Sequence, residues 1–238
     1  MNRNNILIKI SKKAVFFDFG DTLASTDPPY IIRVANGFRN AGYDISNKDF
    51  IYAYLKTDCE IYKKHKTQGT ISSEQYNSWF FPILCEFLNI DEKPDEIRLR
   101  IRKNNTPRRF SRAVLPGTFE LLSYLKEQGY TLGVISNNDG FTDRKCKDLD
   151  IDKFFDIIAD STNLGYVKPD PRIFHHVLNE LGLEPEDCLH VGDLYGADVL
   201  GAKNAGLDVV WLNYRGINIL DDTETIQIKE LAELIKIL

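Results

Sequence analysis

Residues 14 to 23 read Ala14-Val15-Phe16-Phe17-Asp18-Phe19-Gly20-Asp21-Thr22-Leu23, and the passage from apolar run to carboxylate to glycine within them decides the fold. Four apolar or small residues fit a buried parallel strand that stops at Asp18, and Gly20, Asp21 and Thr22 then supply turn chemistry. Asp18 is thereby expected at the C-terminal end of a strand, the edge of an open α/β sheet where ligands bind. A carboxylate there can also do no more than cap the next segment, and this stretch alone leaves both readings open.

Working outward, the chain beyond Pro116 alternates between two textures. A helix is expected over 118–128, closed by Gly129, and strands over 130–136, 155–159, 189–192 and 209–212, with helices between them. That alternation implies an α/β fold with a doubly wound parallel sheet. The stretch 27–110 is different. It opens on Asp27-Pro28-Pro29, and Ile31, Ile32, Ala35 and Phe38 then follow helical spacing. Ser46 with Asp49 and Ser72 with Gln75 resemble capping boxes at the starts of two more helices. Pro82 is expected to kink or interrupt the second of these, and a further helix is expected after Pro94. The chain thus divides into a core of 1–26 and 111–238 and an inserted all-helical unit of 27–110.

The 238 residues suffice for one α/β domain with a large insertion, and the formal net charge of −5 argues against a nucleic-acid backbone as main partner. Cys59, Cys85, Cys146 and Cys188 are widely spread with no Cys-x-x-Cys pair, which suggests reduced thiols in a cytoplasmic protein. The apolar run near the N-terminus is short and broken by Lys9, so neither a signal peptide nor a membrane span is expected.

Asp18-Phe19-Gly20-Asp21-Thr22-Leu23 resembles the first motif of the haloacid dehalogenase superfamily of aspartate-nucleophile hydrolases. Three later segments resemble its other motifs in the expected order: Val134-Ile135-Ser136-Asn137, then Lys168-Pro169-Asp170-Pro171, then Val191-Gly192-Asp193 with Asp198 and the following Gly201-Ala202 and Ala205-Gly206. The resemblance implies a Rossmann-like core, and it makes the helical insertion a cap domain. It also implies a small phosphorylated substrate; the chain is expected as a monomer or homodimer, with no feature of the sequence choosing between them.

By the same resemblance, Asp18 attacks phosphorus and becomes an aspartyl phosphate, a covalent route that divides one hard step into two. Asp193 and Asp18 would converge at one sheet edge, where two carboxylates repel unless a cation lies between them. Mg²⁺ is the natural choice, with Asp18, Asp193 and the backbone carbonyl of Gly20 as ligands and Asp198 supporting it directly or through water. Ser136 and the Asn137 amide would bind the phosphoryl group. The Lys168 ammonium would neutralise charge on nucleophile and phosphoryl oxygens.

The pattern breaks at Gly20. Phosphatases of the family usually carry an acid/base aspartate at this position, and Asp21, one residue along, is the candidate substitute. The gap keeps three further readings open: a 2-haloacid dehalogenase, whose leaving group needs no proton; a phosphonatase that uses a cap lysine among Lys56, Lys63, Lys64 and Lys66; and a weakly active phosphate- and metal-binding protein. Arg98, Arg100, Arg102, Lys103, Arg108, Arg109 and Arg112 form a basic run in an acidic chain. Such a run is either a solvated face or a source of one or two arginines for an anionic substrate.

Overall fold

The computed structural model describes residues 12–70, 72–104 and 110–238. Ala14–Phe17 forms β1, and all four residues are fully buried because both faces of the strand are covered. Ala14 and Phe16 feed one hydrophobic core, whereas Val15 and Phe17 feed another on the opposite face. β1 lies inside a six-stranded sheet with β4 (Thr131–Ser136), β5 (Ile157–Asp160), β6 (Cys188–Gly192), β7 (Asp208–Leu212) and β8 (Ile226–Ile228), in the order β5-β4-β1-β6-β7-β8. Every neighbouring pair is parallel. The chain leaves β1 toward β4 on one side and later returns to β6 on the other. The crevice outside the ends of β1, β4 and β6 is therefore a topological switch point.

Three strands were not anticipated from hydropathy: β8 at the edge of the parallel sheet, and a separate pair. β2 (Ala24–Asp27) and β3 (Ser111–Val114) pair antiparallel, with Thr26 opposite Arg112, and form a separate two-stranded sheet beside the end of β1. They bracket the helical insertion, which comprises α1 (Tyr30–Asn40), α2 (Asn47–Gln68), α3 (Ser73–Phe87) and α4 (Pro94–Asn104). Ser72 and Gln75 make the reciprocal capping box, while Ser46 accepts from the Asp49 N–H. Of the two outcomes expected at Pro82, interruption is excluded: α3 runs through it. The buried Ile83, Leu84 and Cys85 beside it hold this part of α3 in the packing of the insertion, which outweighs the hydrogen bond that the proline removes.

The insertion has its own core around Ile31, Phe38, Phe50, Leu84 and Ile97. The remaining helices flank the parallel sheet: α5 (Thr118–Glu127), α6 (Thr142–Asp148), the short α7 (Ser161–Leu164), α8 (Pro171–Leu181) and, after a π-helical stretch Tyr195–Leu200, α9 (Gly201–Asn204). The four cysteines are buried and free. No helix among the described residues is long and apolar enough to cross a membrane.

Candidate active site

β1 ends where its hydrogen bonding passes to β6: the Asp18 N–H donates to the Val191 carbonyl at 2.9 Å. The Asp18 carboxylate is thereby fixed at the sheet edge, 8% exposed. Lys168 reaches it from the loop before α8 and is itself almost fully buried. Its Nζ donates to Asp18 Oδ1 at 2.7 Å, to Asp198 Oδ1 at 2.7 Å and to the Ile135 carbonyl at 2.8 Å, so all three ammonium hydrogens are used. Burial opposes the charge, but the two carboxylates override it and raise the lysine's pKa.

The end of β4 supplies Ser136 and Asn137. The Ser136 hydroxyl makes no hydrogen bond to another described residue and lines the cavity in front of Asp18. The Asn137 side chain instead clasps the Lys168 backbone, accepting from its N–H at 2.8 Å and donating to its carbonyl at 2.9 Å. What Asn137 can offer a ligand is its own backbone N–H.

After β6 the chain turns back on itself. Gly192 is required because a Cβ there would lie 2.2 Å from the Asp198 carboxyl carbon. Asp198 Oδ1 accepts from Lys168 and pairs with His190 Nε2 at 3.0 Å, and Oδ2 accepts the Leu194 N–H at 3.0 Å. Burial lowers the pKa of His190, and the carboxylate facing Nε2 favours a hydrogen on that nitrogen. Burial pushes Asp198 up, but Lys168 and His190 prevail and hold its carboxyl below the ordinary range. Asp193 lies on the cavity side of the same loop. Its backbone carbonyl accepts from Trp211 Nε1, and its carboxylate accepts from Thr22 and from Arg215 Nη1, the latter at 2.7 Å.

Asp18, Asp193 and Asp198 each offer an oxygen, and these atoms lie within 4.8 Å of one another. Three carboxylates so close are poorly tolerated without added positive charge. Burial, reinforced by the neighbouring carboxylates, pushes Asp18 up to about 6 despite Lys168, and Asp193 up to about 8 despite Arg215. Hard oxygen donors of this kind suit Mg²⁺. The Gly20 carbonyl at the same edge accepts no hydrogen bond from the described residues, which leaves it available as a further donor. The residues present therefore fit a divalent cation, with Asp18 and the Gly20 carbonyl as open donors, Asp193 shared with Thr22 and Arg215, and Asp198 taken up by Lys168 and His190.

Asp21 adopts a left-handed backbone with φ of 57° and lines the cavity. Both of its oxygens are engaged, Oδ1 by the Ser25 hydroxyl at 2.5 Å and Oδ2 by Arg215 Nη2 at 3.1 Å. Arg215, which bridges Asp21 and Asp193, escaped the sequence reading; the signal was its place three residues beyond the apolar strand β7, at the same sheet edge. A Cβ added at Gly20 would meet nothing within 4 Å.

Asp58 was also missed. It lies on α2 and is 1% exposed, and its carboxylate accepts the N–H of Gly196 and, at 3.0 Å, that of Ala197. A Cβ at Gly196 would lie 2.3 Å from the Asp58 carbonyl oxygen, so glycine permits α2 to approach the loop that carries Asp193 and Asp198. Nothing in the hydropathy of α2 distinguishes this carboxylate from the charged residues around it.

The cavity, about 530 Å³, extends from Asp18 to the helical insertion, where Tyr30, Arg33, Tyr54 and Tyr76 line it. Of the basic run, Arg112 lines the cavity, Arg98 donates to the Asn77 carbonyl, and Arg100 pairs with Glu92. Arg108 and Arg109 lie outside the described residues. The lysines lining the cavity are Lys145 and Lys168, neither from the insertion.

Residues 12–206 match the family model of the haloacid dehalogenase-like hydrolases, and the chain belongs to that family. Within it, the chain is 31% identical to a glyceraldehyde 3-phosphate phosphatase of Pyrococcus furiosus over 94% of its own length and 88% of the relative's. It is 33% identical to a protein of the same name from Methanothermobacter thermautotrophicus, over 84% of this chain and 85% of that one. Among solved structures it resembles a HAD phosphatase from Thermococcus onnurineus, with a TM-score of 0.59 and 26% identity, covering 94% of this chain and 97% of the other.

Proposed function

We propose that this hydrolase is a Mg²⁺-dependent phosphatase of small phosphorylated molecules, with residues 1–26 and 111–238 as catalytic core and 27–110 as cap. The observation that carries the reading is the convergence of Asp18, Asp193 and Lys168 on one cavity at the switch point of the sheet. The names borne by its relatives support the same reaction class.

The Asp18 carboxylate attacks phosphorus, and the bond from phosphorus to the leaving oxygen breaks. Water then attacks phosphorus in the aspartyl phosphate, releasing inorganic phosphate and restoring the carboxylate. A carboxylate that is ionised needs no base for the first step. Lys168 fixes its orientation, and the Ser136 hydroxyl and Asn137 N–H receive the phosphoryl oxygens. Mg²⁺ held by Asp18, Asp193 and the Gly20 carbonyl would offset the negative charge of carboxylates and phosphoryl group. Protonation of the leaving oxygen has no dedicated aspartate at Gly20, and Asp21 is bound to Ser25 and Arg215. Asp21 is assigned to holding Arg215 in place, and the leaving oxygen takes its proton from solvent.

Gly20 also favours a second reading, 2-haloacid dehalogenation, in which the halide leaves without a proton. The phosphonatase reading loses support from the positions of Lys56, Lys63, Lys64 and Lys66, none of which lines the cavity. Phosphate release from sugar phosphates, nucleotides and an aryl phosphate, with Mg²⁺ and with chelator and Asp18→Asn as blank, tests the proposal. Release that needs both metal and Asp18 is expected. Chloride release from 2-chloropropionate without phosphate release from any substrate would replace it with the second reading.

A further inference from the structure

The cationic side chains around this cavity fall into two sets. Lys168 is paired with Asp18 and Asp198, Lys145 with Asp139, and Arg215 with Asp21 and Asp193. Arg33 and Arg112, which line the same cavity, have no carboxylate partner among the described residues.

Their positions are fixed from several directions. Arg112 lies opposite Thr26 in the β2–β3 pair, and Arg33, in the first turn of α1, donates from Nε to the Thr26 hydroxyl at 3.2 Å. The Arg33 guanidinium stacks 3.9 Å from the centre of the Phe110 ring, and that of Arg112 lies 5.9 Å from the same ring. Arg112 is also 6.0 Å from the ring of Phe19, the residue that follows the nucleophile. Two guanidiniums thus converge on one aromatic surface lining the cavity, with no salt-bridging carboxylate among the described residues. Burial lowers the pKa of Arg33 and the proximity of Arg112 lowers it further, against the opposing pull of Tyr30 and Asp21. Stacking leaves the in-plane N–H groups of a guanidinium free to receive an anion.

We propose that Arg33 and Arg112 form a subsite for a second anionic group of the substrate, a carboxylate or a second phosphate, borne at the end remote from the phosphoryl group that Asp18 attacks. The inference rests on the phosphatase reading of this cavity, and it narrows the substrates to phosphorylated molecules with an anionic tail. Planar guanidinium pairs recognise both kinds of tail, and neutral tails leave the two charges uncompensated.

Three substrates built on the same three-carbon chain separate the possibilities: n-propyl phosphate, 3-phosphonooxypropanoate and propane-1,3-diol bisphosphate. The full chain with Mg²⁺ is expected to turn over at least one anionic-tailed substrate with a kcat/KM about ten- to a hundredfold above that of propyl phosphate, the range of a charge-assisted hydrogen-bonded contact. Which of the two gains distinguishes carboxylate from phosphate recognition. Arg112→Gln and Arg33→Gln should each bring that ratio toward one, mainly through KM, and Arg112→Lys should keep part of it. Equal kcat/KM for the three substrates, or variants that lower all three by one factor, would overturn the subsite.

Calorimetric titration of Asp18→Asn with the same three compounds, with and without Arg112→Gln, separates the two claims. Anionic tails that bind more tightly in an Arg112-dependent way while the wild type releases no phosphate would retain the subsite and remove the phosphatase. Phosphate release with no tail preference in either assay would do the reverse.

Discussion

Lys168 joins Asp18 to Asp198: its Nζ lies 2.7 Å from a carboxylate oxygen of each, with all three side chains buried. The Asp18 carboxylate is therefore oriented by a cation that is itself held by a second carboxylate. Asp198 is in turn fixed by His190 and the Leu194 N–H.

Lys168→Met removes that cation and leaves two buried carboxylates facing each other. Loss of a preorganised electrostatic group of this kind costs about 10²- to 10³-fold in kcat. Breaking a buried pair costs about 3–5 kcal/mol of stability. Steady-state kinetics with thermal unfolding checks both; a variant with native turnover would show that Lys168 does not act on the reacting groups.

Asp18, Ser136, Lys168 and Asp193 were legible because each stands at the end of an apolar strand or beside a proline, where the pattern changes abruptly: Asp18 after Phe17, Ser136 at the end of β4, Lys168 before Pro169, Asp193 after Gly192. The residues that were missed have no such punctuation. Arg215 follows β7 in a loop, Arg33 is one polar position on an amphipathic helix, and Asp58 is a buried carboxylate among the charges of α2. Their roles come from tertiary proximity, to Asp193, to Phe110 and to Gly196, which hydrophobic period does not encode. β2 lacks a strand's alternation of apolar and polar residues, and β8 has only three residues, so neither produced a periodic signal.

Gly20→Asp places a carboxylate where a Cβ meets nothing within 4 Å. If proton delivery to the leaving oxygen limits the native enzyme, phosphatase turnover rises, by as much as the ~10²- to 10⁴-fold that a positioned acid contributes. Asp21→Asn, by contrast, should lower kcat by less than about tenfold while loosening Arg215, since loss of a positioned acid would cost more than that. A collapse of turnover in Asp21→Asn would instead make Asp21 the acid.

Asp58 ties α2 to the loop that carries Asp193, and burial pushes its carboxyl up to about 7 against the pull of the Gly196 and Ala197 N–H groups. A folded-state pKa above the unfolded value means that the native state binds the extra proton. This stabilisation is present below pH ~4 and is lost as pH rises toward 7. Asp58→Asn has no such slope. Thermal unfolding of both proteins should therefore show a gap in Tm that is widest at about pH 4 and below and narrows steadily toward pH 7 to 8. A gap that widens with pH would mean that Asp58 is ionised in the fold throughout.

The central claim is that Asp18 itself carries the phosphoryl group. Acid quenching of the Mg²⁺-loaded enzyme during turnover of its best substrate, followed by peptide mass spectrometry, tests it directly. The peptide containing Asp18 should be heavier by one phosphoryl group, and hydroxylamine should remove the label. Phosphate release at full rate with that peptide unmodified at every quench time would contradict the account, because water would then be reaching phosphorus without Asp18 as nucleophile.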